Sequence, residues 1–191
     1  VTLRPSDRVS LAIEPSWQQG TDPRQYVTSV DGGSRTYGTR YVFAFVDRTT
    51  ISTKLRVNYT FTPDLTLEGY GEPFVASGRY SRHGELEAAG SADLREYGTD
   101  GTSVAIDADG VRTVTDGADA FTLDNRDFHV LSFRSNVVMR WEWAPGSTFF
   151  LVWQQSRRTS EAYRDDVRFR ELFETTRGAG DNFLSVKISY W

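Results

Sequence analysis

The stretch ISTKLRVNYTFTPD, residues 51–64, alternates apolar and polar side chains and then ends in turn residues. One side of the run carries Ile51, Leu55, Val57, Tyr59 and Phe61, and the other carries Ser52, Lys54, Arg56, Asn58 and Thr60. A period of two residues indicates a β-strand, and Pro followed by Asp indicates a tight turn after it. The run is about twice as long as the usual globular strand of roughly five to six residues. Residues 51–61 are therefore predicted to form a long amphipathic β-strand.

The same alternation recurs along the chain and gives eight strand candidates. They cover residues 9–17, 24–30, 39–46, 51–61, 65–77, 131–143, 147–157 and 182–191. Short connections are predicted at 47–50 (DRTT), 62–64 (TPD) and 144–147 (APGS). Long extracellular loops are predicted at 78–127 and 157–181, the second with a short helix over Asp165–Glu174. Short turns on one rim and long loops on the other are typical of outer-membrane barrels.

The composition excludes several classes of protein. The chain has 191 residues, which favours one domain, and it has no cysteine, which excludes disulfides, zinc ribbons and thiol catalysis. Its net charge of −4 comes from interspersed acidic and basic residues, so no basic face for nucleic acid is expected. No run approaches the roughly 18 apolar residues that a membrane-spanning helix needs.

Alternation alone does not say which face of the strands looks inward. In a membrane barrel the apolar face contacts lipid and the polar face lines the lumen, whereas a soluble β-sandwich or carrier buries the apolar face. Aromatic residues near strand ends favour the membrane, because such rings form interfacial girdles. The predicted girdle is Tyr59, Phe61, Trp141, Trp143, Tyr190 and Trp191, and the predicted lumen residues are Lys54, Arg56, Arg134, Arg140, Glu142 and Lys187. We therefore predict an antiparallel transmembrane β-barrel of the bacterial outer membrane, with lipid as its partner.

The last strand, NFLSVKISYW at residues 182–191, ends on two aromatic rings. It resembles the C-terminal recognition strand of Gram-negative outer-membrane proteins, which implies contact with the barrel-assembly machinery. The alternation would fit that pattern better with one further residue, and the first residues read like the middle of a protein. We therefore expect the chain to be the C-terminal part of a larger barrel, with a single barrel domain closed by these eight strands alone as the alternative.

Three segments, KLRVNYTFTPDLTLEGYGEPFVASGRY (54–80), SFRSNVVMRWEWAPGSTFFLVWQQSR (132–157) and FLSVKISYW (183–191), carry a family resemblance. The chain resembles the C-terminal region of the family labelled domain of unknown function 5916. The resemblance implies an outer-membrane barrel, with a carbohydrate-binding domain of the family-9 type usually lying upstream and no established catalytic residues. It suggests a porin-like, binding or structural barrel linked to glycan capture. The alternative that it also raises is an outer-membrane glycan hydrolase.

Candidate catalytic and metal residues each have a simpler structural explanation. Glu68, Glu72 and Glu142 are the carboxylates that a glycan hydrolase would use, but pairing with lumen arginines explains them as well. His83, predicted in a long loop, and His129, predicted at a strand start, have no metal-binding or triad motif and are interpreted as loop or rim residues. Asp107, Asp109, Asp116 and Asp119 lie among glycines, as calcium ligands do, but the loop lacks the bidentate Glu, and Asp-Gly turns explain them. No cofactor is predicted, with calcium kept as an alternative.

Overall fold

A computed structural model describes residues 1–191 and shows an all-β protein with antiparallel sheets, which confirms the predicted class. Seven strands lie in the order β1-β2-β3-β4-β9-β10-β11, and β5 also pairs with β4. These strands are β1 (Thr2–Ser6), β2 (Val9–Asp31), β3 (Thr39–Thr62), β4 (Leu65–Leu86), β5 (Leu94–Glu96), β9 (Phe128–Ala144), β10 (Ser147–Glu161) and β11 (Gly180–Ser189). A second sheet holds β6 (Thr102–Ile106), β7 (Arg112–Asp116) and β8 (Asp119–Leu123). The larger sheet is open, with β1 and β11 at its edges.

The helical content is small. The only α-helix, α1, covers Glu171–Glu174, and 3₁₀ turns cover Ser34–Thr36 and Thr175–Arg177. The helix predicted over Asp165–Glu174 is therefore shorter than expected, because residues 165–168 have irregular backbone and residues 169–170 form a turn. No helix has the length and apolar character needed to cross a bilayer.

Several strand candidates merge in the structure. The turn predicted at residues 47–50 is wrong, because β3 continues through it, and the candidates at 9–17 and 24–30 also join as β2. The physical reason is visible in the sequence, since DRTT holds no Gly or Pro and its two threonines favour extended backbone. Asp47 also accepts a hydrogen bond from the Thr21 hydroxyl, with an O–O distance of 2.5 Å.

The predicted tight turns at 62–64 and 144–147 are confirmed, since β3 and β4 are separated by two residues and so are β9 and β10. In the second turn Pro145 precedes Gly146, whose φ of 80° is one that only glycine adopts without strain. The segment 78–127, predicted as a loop, holds the end of β4 and strands β5 to β8. Its extracellular position stays a prediction.

The chain divides into two compact units. Unit 1 comprises Val1–Gln18, Thr49–Ser77 and His129–Trp191, and unit 2 comprises Gln19–Arg48 and Gly78–Phe128. The core of unit 1 is small and consists of Ile51, Val75, Leu131 and Leu172, with Val167 against it. The core of unit 2 consists of Val27, Val42, Ala44, Tyr97, Val114 and Leu123, with Val30, Tyr80, Val104 and Phe121 against it.

Candidate functional site

The strands β9, β10 and β11 of unit 1 carry a continuous apolar surface on one face. Residues paired across antiparallel strands lie on the same face, and the registers give three rows of three side chains. The rows are Trp141–Phe149–Ile188, Met139–Leu151–Val186 and Val137–Trp153–Leu184. On the edge strand, Leu184, Val186 and Ile188 are 64%, 54% and 64% exposed. Apolar side chains thus cover this face without being buried by another layer of the chain.

A row of polar side chains ends this apolar surface. Ser135, Gln155 and Asn182 are the next residues on the same face. The Ser135 hydroxyl donates to Gln155 Oε1 at 3.3 Å, and Gln155 Nε2 donates to Asn182 Oδ1 at 2.7 Å. At about 3.4 Å per residue, the strand covers roughly 27 Å between Ser135 and Trp143. The apolar surface therefore has a defined height.

The predicted girdle residues lie at the other end of this surface, near the two-residue turns. Tyr59 and Phe61 pack edge to face at 4.4 Å between ring centroids, and Trp141 and Trp143 do so at 6.3 Å. The Glu142 backbone N–H donates to the Asp64 carbonyl at 2.8 Å, which holds the two turns side by side. Of the two terminal rings, Tyr190 is 83% exposed and Trp191 is 92% exposed. The Trp191 N–H donates to the Ser147 hydroxyl at 3.4 Å, so the last two residues reach the same edge.

The predicted lumen residues share the opposite face of the sheet. The registers place Arg140 and Lys187 in one row with Phe150 between them, and Arg140 Nη2 lies 2.7 Å from Glu142 Oε2. Arg134 lines a groove of about 270 Å³ with Glu72, Phe74 and Ser132. Arg56 lines another of about 380 Å³ with Asn58, Glu68, Gly69, Tyr70, Asn136 and Val138. Lys54 is exposed two residues before Arg56 on β3. This face is mixed rather than uniformly polar, because Phe150 and Val152 also lie on it.

The three candidate catalytic carboxylates are not brought together. Glu68 and Glu72 line different grooves, and Glu142 lines neither of them. Glu72 Oε2 accepts a hydrogen bond from the Tyr70 hydroxyl at 2.7 Å. Glu142 is engaged by Arg140 and also accepts from the Gly146 N–H at 3.3 Å, so it supports the turn. The contacts of Glu72 and Glu142 are thus ones that a structural role explains.

Unit 2 contains a buried charge cluster that the sequence did not reveal. Arg40 Nη1 lies 2.9 Å from Glu85 Oε2 and 2.8 Å from Asp116 Oδ2, and its side chain is 4% exposed. Arg95 contacts the same two carboxylates at 3.2 Å and 3.0 Å. The hydrogen bonds from Arg95, and then from Arg40, lower the pKa of Asp116 to about 2. The sequence holds one indication that Arg40 is buried. Arg40 alternates with Val42, Ala44 and Val46, which are buried on the same face of β3.

The calcium candidates have other contacts in the structure. Asp116 and Asp119 both contact Arg40, the second at 3.2 Å. Asp107 Oδ1 accepts the backbone N–H groups of Asp109 at 3.0 Å and Val111 at 2.9 Å, as an Asx turn does. No group of three or more His, Asp or Glu residues is arranged to hold a metal ion.

Both histidines are buried: His83 lies in a strand and not in the predicted loop, whereas His129 is the second residue of β9, at a strand start as predicted. His83 lies in β4 and is 5% exposed, and burial, followed by the positive charge of Arg112, lowers its pKa to about 4. His129 lies in β9 and is fully buried, with its Nε2 at 3.6 Å from Glu171 Oε2. Glu171, which lies beside His129, comes from the connection after β10. A contact between residues so far apart in the chain leaves no local pattern in the sequence.

Comparison with known proteins adds one finding to this geometry. No curated protein and no solved structure matches the chain. A family model matches all of residues 1–191, including the segments outside the motifs that first suggested the resemblance. The chain belongs to the family described as domain of unknown function (DUF5916).

Proposed function

We propose that this chain forms part of the wall of a β-barrel in the bacterial outer membrane. In this proposal the apolar face of unit 1 contacts lipid, and its polar face borders a water-filled interior. The observation that carries the proposal is the surface on β9–β11, with three apolar rows between a polar row and the aromatic residues at the turns. At the strand tilt of about 35–45° found in transmembrane barrels, the roughly 27 Å of strand between Ser135 and Trp143 gives a height of about 19–22 Å. Such barrels present to lipid an apolar band of about 25 Å that is flanked by aromatic girdles.

The exposure of the apolar rows supports lipid rather than water as their solvent. Soluble monomers rarely expose an apolar patch of more than a few hundred Å². On unit 1 the exposed large side chains include Leu55, Val57, Phe61, Trp141, Trp153, Leu184, Val186 and Ile188. A soluble sandwich would cover these rows with a second layer, whereas the segment that packs on this face through Leu172 and Val167 covers the end near Leu131 and leaves the rows exposed.

The larger sheet has two edge strands, β1 and β11, that a closed barrel would have to pair. The backbone groups along the free sides of β1 and β11 need hydrogen-bond partners, because a bilayer provides none. We propose that further strands pair with these two edges and complete the barrel. In this proposal β11 also serves as the strand that the barrel-assembly machinery recognises.

The polar face supports a passive role, as a porin-like, binding or structural barrel. Its charges have both signs, and those of Arg140 and Glu142 are paired. Charged side chains on a lumen face influence which solutes enter the barrel, and this selectivity requires no catalytic reaction. A link to glycan capture rests on the family resemblance alone, and the separated carboxylates give the hydrolase alternative no support.

The test uses two neighbouring residues of β11 that lie on opposite faces. We expect Val186→Arg to prevent stable membrane integration, because Val186 is in the middle apolar row and an arginine at the bilayer midplane costs about 2–4 kcal/mol. Ser185→Arg, on the polar face, is the matched control and should integrate like the wild type. Both variants are made in the protein that carries the further strands, and the measurement is the fraction of each that resists carbonate extraction and migrates as a heat-modifiable band. Equal behaviour of the two variants, or a wild type that stays in the aqueous fraction without detergent, would contradict the proposal.

A further inference from the structure

Three two-residue turns lie side by side on one rim of the larger sheet, which we call the turn rim. They are residues 7–8, 63–64 and 145–146, between β1 and β2, β3 and β4, and β9 and β10. The Thr60 N–H, near the end of β3, donates to the Arg8 carbonyl at 2.8 Å. The Glu142 N–H, near the end of β9, donates to the Asp64 carbonyl at 2.8 Å. The start of β2 thus lies beside the end of β3, and the start of β4 beside the end of β9, so both pairs are antiparallel.

The two edge strands of this sheet run in the same direction. β1 ends at Ser6, where the first of the three turns begins, so it runs toward the turn rim. β11 ends at Ser189, and the Trp191 N–H donates to the Ser147 hydroxyl beside the third turn, so β11 also runs toward the turn rim. The strand order requires the same result, because direction reverses at each step and the order holds seven strands, with β5 pairing only with β4.

The free edge of β11 has none of the features that keep exposed edges unpaired. Every residue of Gly180–Ser189 pairs with β10 without a register shift, so the strand is regular over its whole length. It holds no proline, and its charged residues are Asp181 and Lys187 alone. Soluble proteins protect edge strands with proline, several charges or bulges, or keep them very short. A regular edge of this length therefore needs a further strand as its partner.

Antiparallel closure restricts the number of strands that the partner must supply. A strand that pairs antiparallel with β11 runs away from the turn rim, and so does a strand that pairs antiparallel with β1. Because directions alternate in an antiparallel sheet, a piece that begins and ends with such strands holds an odd number of them. Added to the seven strands in the order of this chain, an odd number gives an even total. Single-chain barrels of the bacterial outer membrane have an even number of strands.

Neither this chain alone nor a second copy of it meets that requirement. Direct pairing of β1 with β11 would be parallel, whereas outer-membrane barrels of bacteria are antiparallel. A second copy inserted in the same orientation has both edge strands running in that same direction, so β11 of one copy would meet β1 of the other in parallel. A copy turned over would have its short turns on the wrong side of the membrane, since they lie on the periplasmic side in these barrels.

We infer that β1 and β11 are the docking edges for a second antiparallel wall with an odd number of strands, and that both outer strands of this wall run away from the turn rim. This inference rests on the proposed function. The wall belongs to the same polypeptide, as in the single-chain barrels of the outer membrane. Its outer strands alternate apolar and polar residues in register with β11, so that the apolar face of Leu184, Val186 and Ile188 continues around the barrel.

Disulfide cross-linking identifies the neighbours of the two edges, because these 191 residues contain no cysteine. Cysteine pairs are introduced into the protein that carries the further strands, with any cysteine elsewhere replaced by serine, and isolated membranes are oxidised with copper phenanthroline. Leu3→Cys on β1 is combined in turn with Leu184→Cys, Val186→Cys and Ile188→Cys on β11. The positive control is Leu151→Cys with Val186→Cys, which are register partners on β10 and β11. We expect the control pair to cross-link and no β1–β11 pair to do so, within one chain or between two.

A strand count gives the positive readout. Electron cryomicroscopy of the same protein in detergent should show a closed barrel with an even total of strands, and the new neighbours of β1 and β11 should run antiparallel to them. A barrel with an even number of added strands, or with a parallel neighbour at either edge, would overturn the inference.

The outcomes separate the inference from the function on which it rests. Resistance of the protein to carbonate extraction reports the membrane barrel, and the cross-links and the strand count report how the barrel closes. If the protein resists extraction but a β1–β11 pair cross-links, within a chain or between copies, the second wall is overturned and the barrel stands. If carbonate extracts the protein and the sheet is found open in water, both are overturned.

Discussion

Replacing Arg40 by methionine should lower the stability of unit 2 by about 3–5 kcal/mol, the usual cost of removing one member of a buried ion pair. Methionine fills similar volume but leaves Glu85, whose side chain is 3% exposed, with Arg95 as its one remaining cationic partner. The variant also loses the contact of the Arg40 guanidinium with the Phe121 ring, 5.2 Å from its centroid. The loss of stability therefore has two sources. The buried Glu85 carboxylate keeps only one cationic partner, and Phe121 of β8 loses the guanidinium that it contacts.

Amide hydrogen exchange on β7 and β8 measures this loss within unit 2. All five tryptophans, at 17, 141, 143, 153 and 191, lie in unit 1, so their fluorescence reports the other unit as an internal control. Arg82→Met is the matched variant, because Arg82 also pairs with a glutamate, Glu96 at 3.0 Å, but is 57% exposed. Surface ion pairs contribute little, so its exchange should be close to that of the wild type.

A double variant shows whether buried charge is the reason. Replacing both Arg40 and Glu85 by apolar residues removes the buried carboxylate that has lost one of its two arginines, and such replacements are often close to neutral. Arg40→Met with Glu85→Leu should therefore be more stable than Arg40→Met alone. A double variant that is less stable than the single one would show that shape, and not charge, dominates at this cluster.

Acidification should destabilise unit 2 between about pH 6.5 and pH 4, because of His83. Its folded pKa, about 4, is below the usual value of 6.5, since burial and the charge of Arg112 disfavour the imidazolium. On acidification His83 is protonated in the unfolded chain at a higher pH than in the folded chain. The stability that comes from burying the neutral imidazole is therefore fully present above pH 6.5 and is lost as the pH falls to about 4. A difference of this size corresponds to about 3 kcal/mol. Amide exchange on β6 to β8, corrected for intrinsic rates, measures it.

A second acid loss should follow from Asp116. Its folded pKa, about 2, is below the usual 3.8, so the stability that its ion pairs provide is present above pH 3.8 and lost as the pH falls through 2. His83→Leu should remove the loss between pH 6.5 and pH 4 and leave the second one. Proton NMR of the imidazole, assigned with this variant, gives the His83 pKa directly. A His83 pKa close to 6.5 would contradict the prediction.

The sequence determined the parts of this protein that depend on neighbouring residues. Alternation over 51–61 and 131–143 predicted long amphipathic strands, and Pro63 and Pro145 marked two turns that the structure confirms. It also predicted the two faces, since the registers place Arg140 and Lys187 in one row and Met139 and Val186 in another. Strand period and turn chemistry are local properties, so one sequence is enough to detect them.

The tertiary structure alone decided what lies against each face. In the run TRYVFAFV, residues 39–46, both sides are apolar, since Tyr41, Phe43 and Phe45 alternate with smaller side chains, and the structure buries Val42, Ala44 and Val46. The tertiary structure also brings together Arg40, Glu85, Arg95 and Asp116. It packs Leu172 in one core cluster with Leu131. These contacts join residues far apart in the chain, and the free energy of burial depends on which surfaces meet. The sequence thus determined the strands and their two faces, and only the packed structure decided which of them would be covered, because alternation is the same whether a face meets a core, water or lipid.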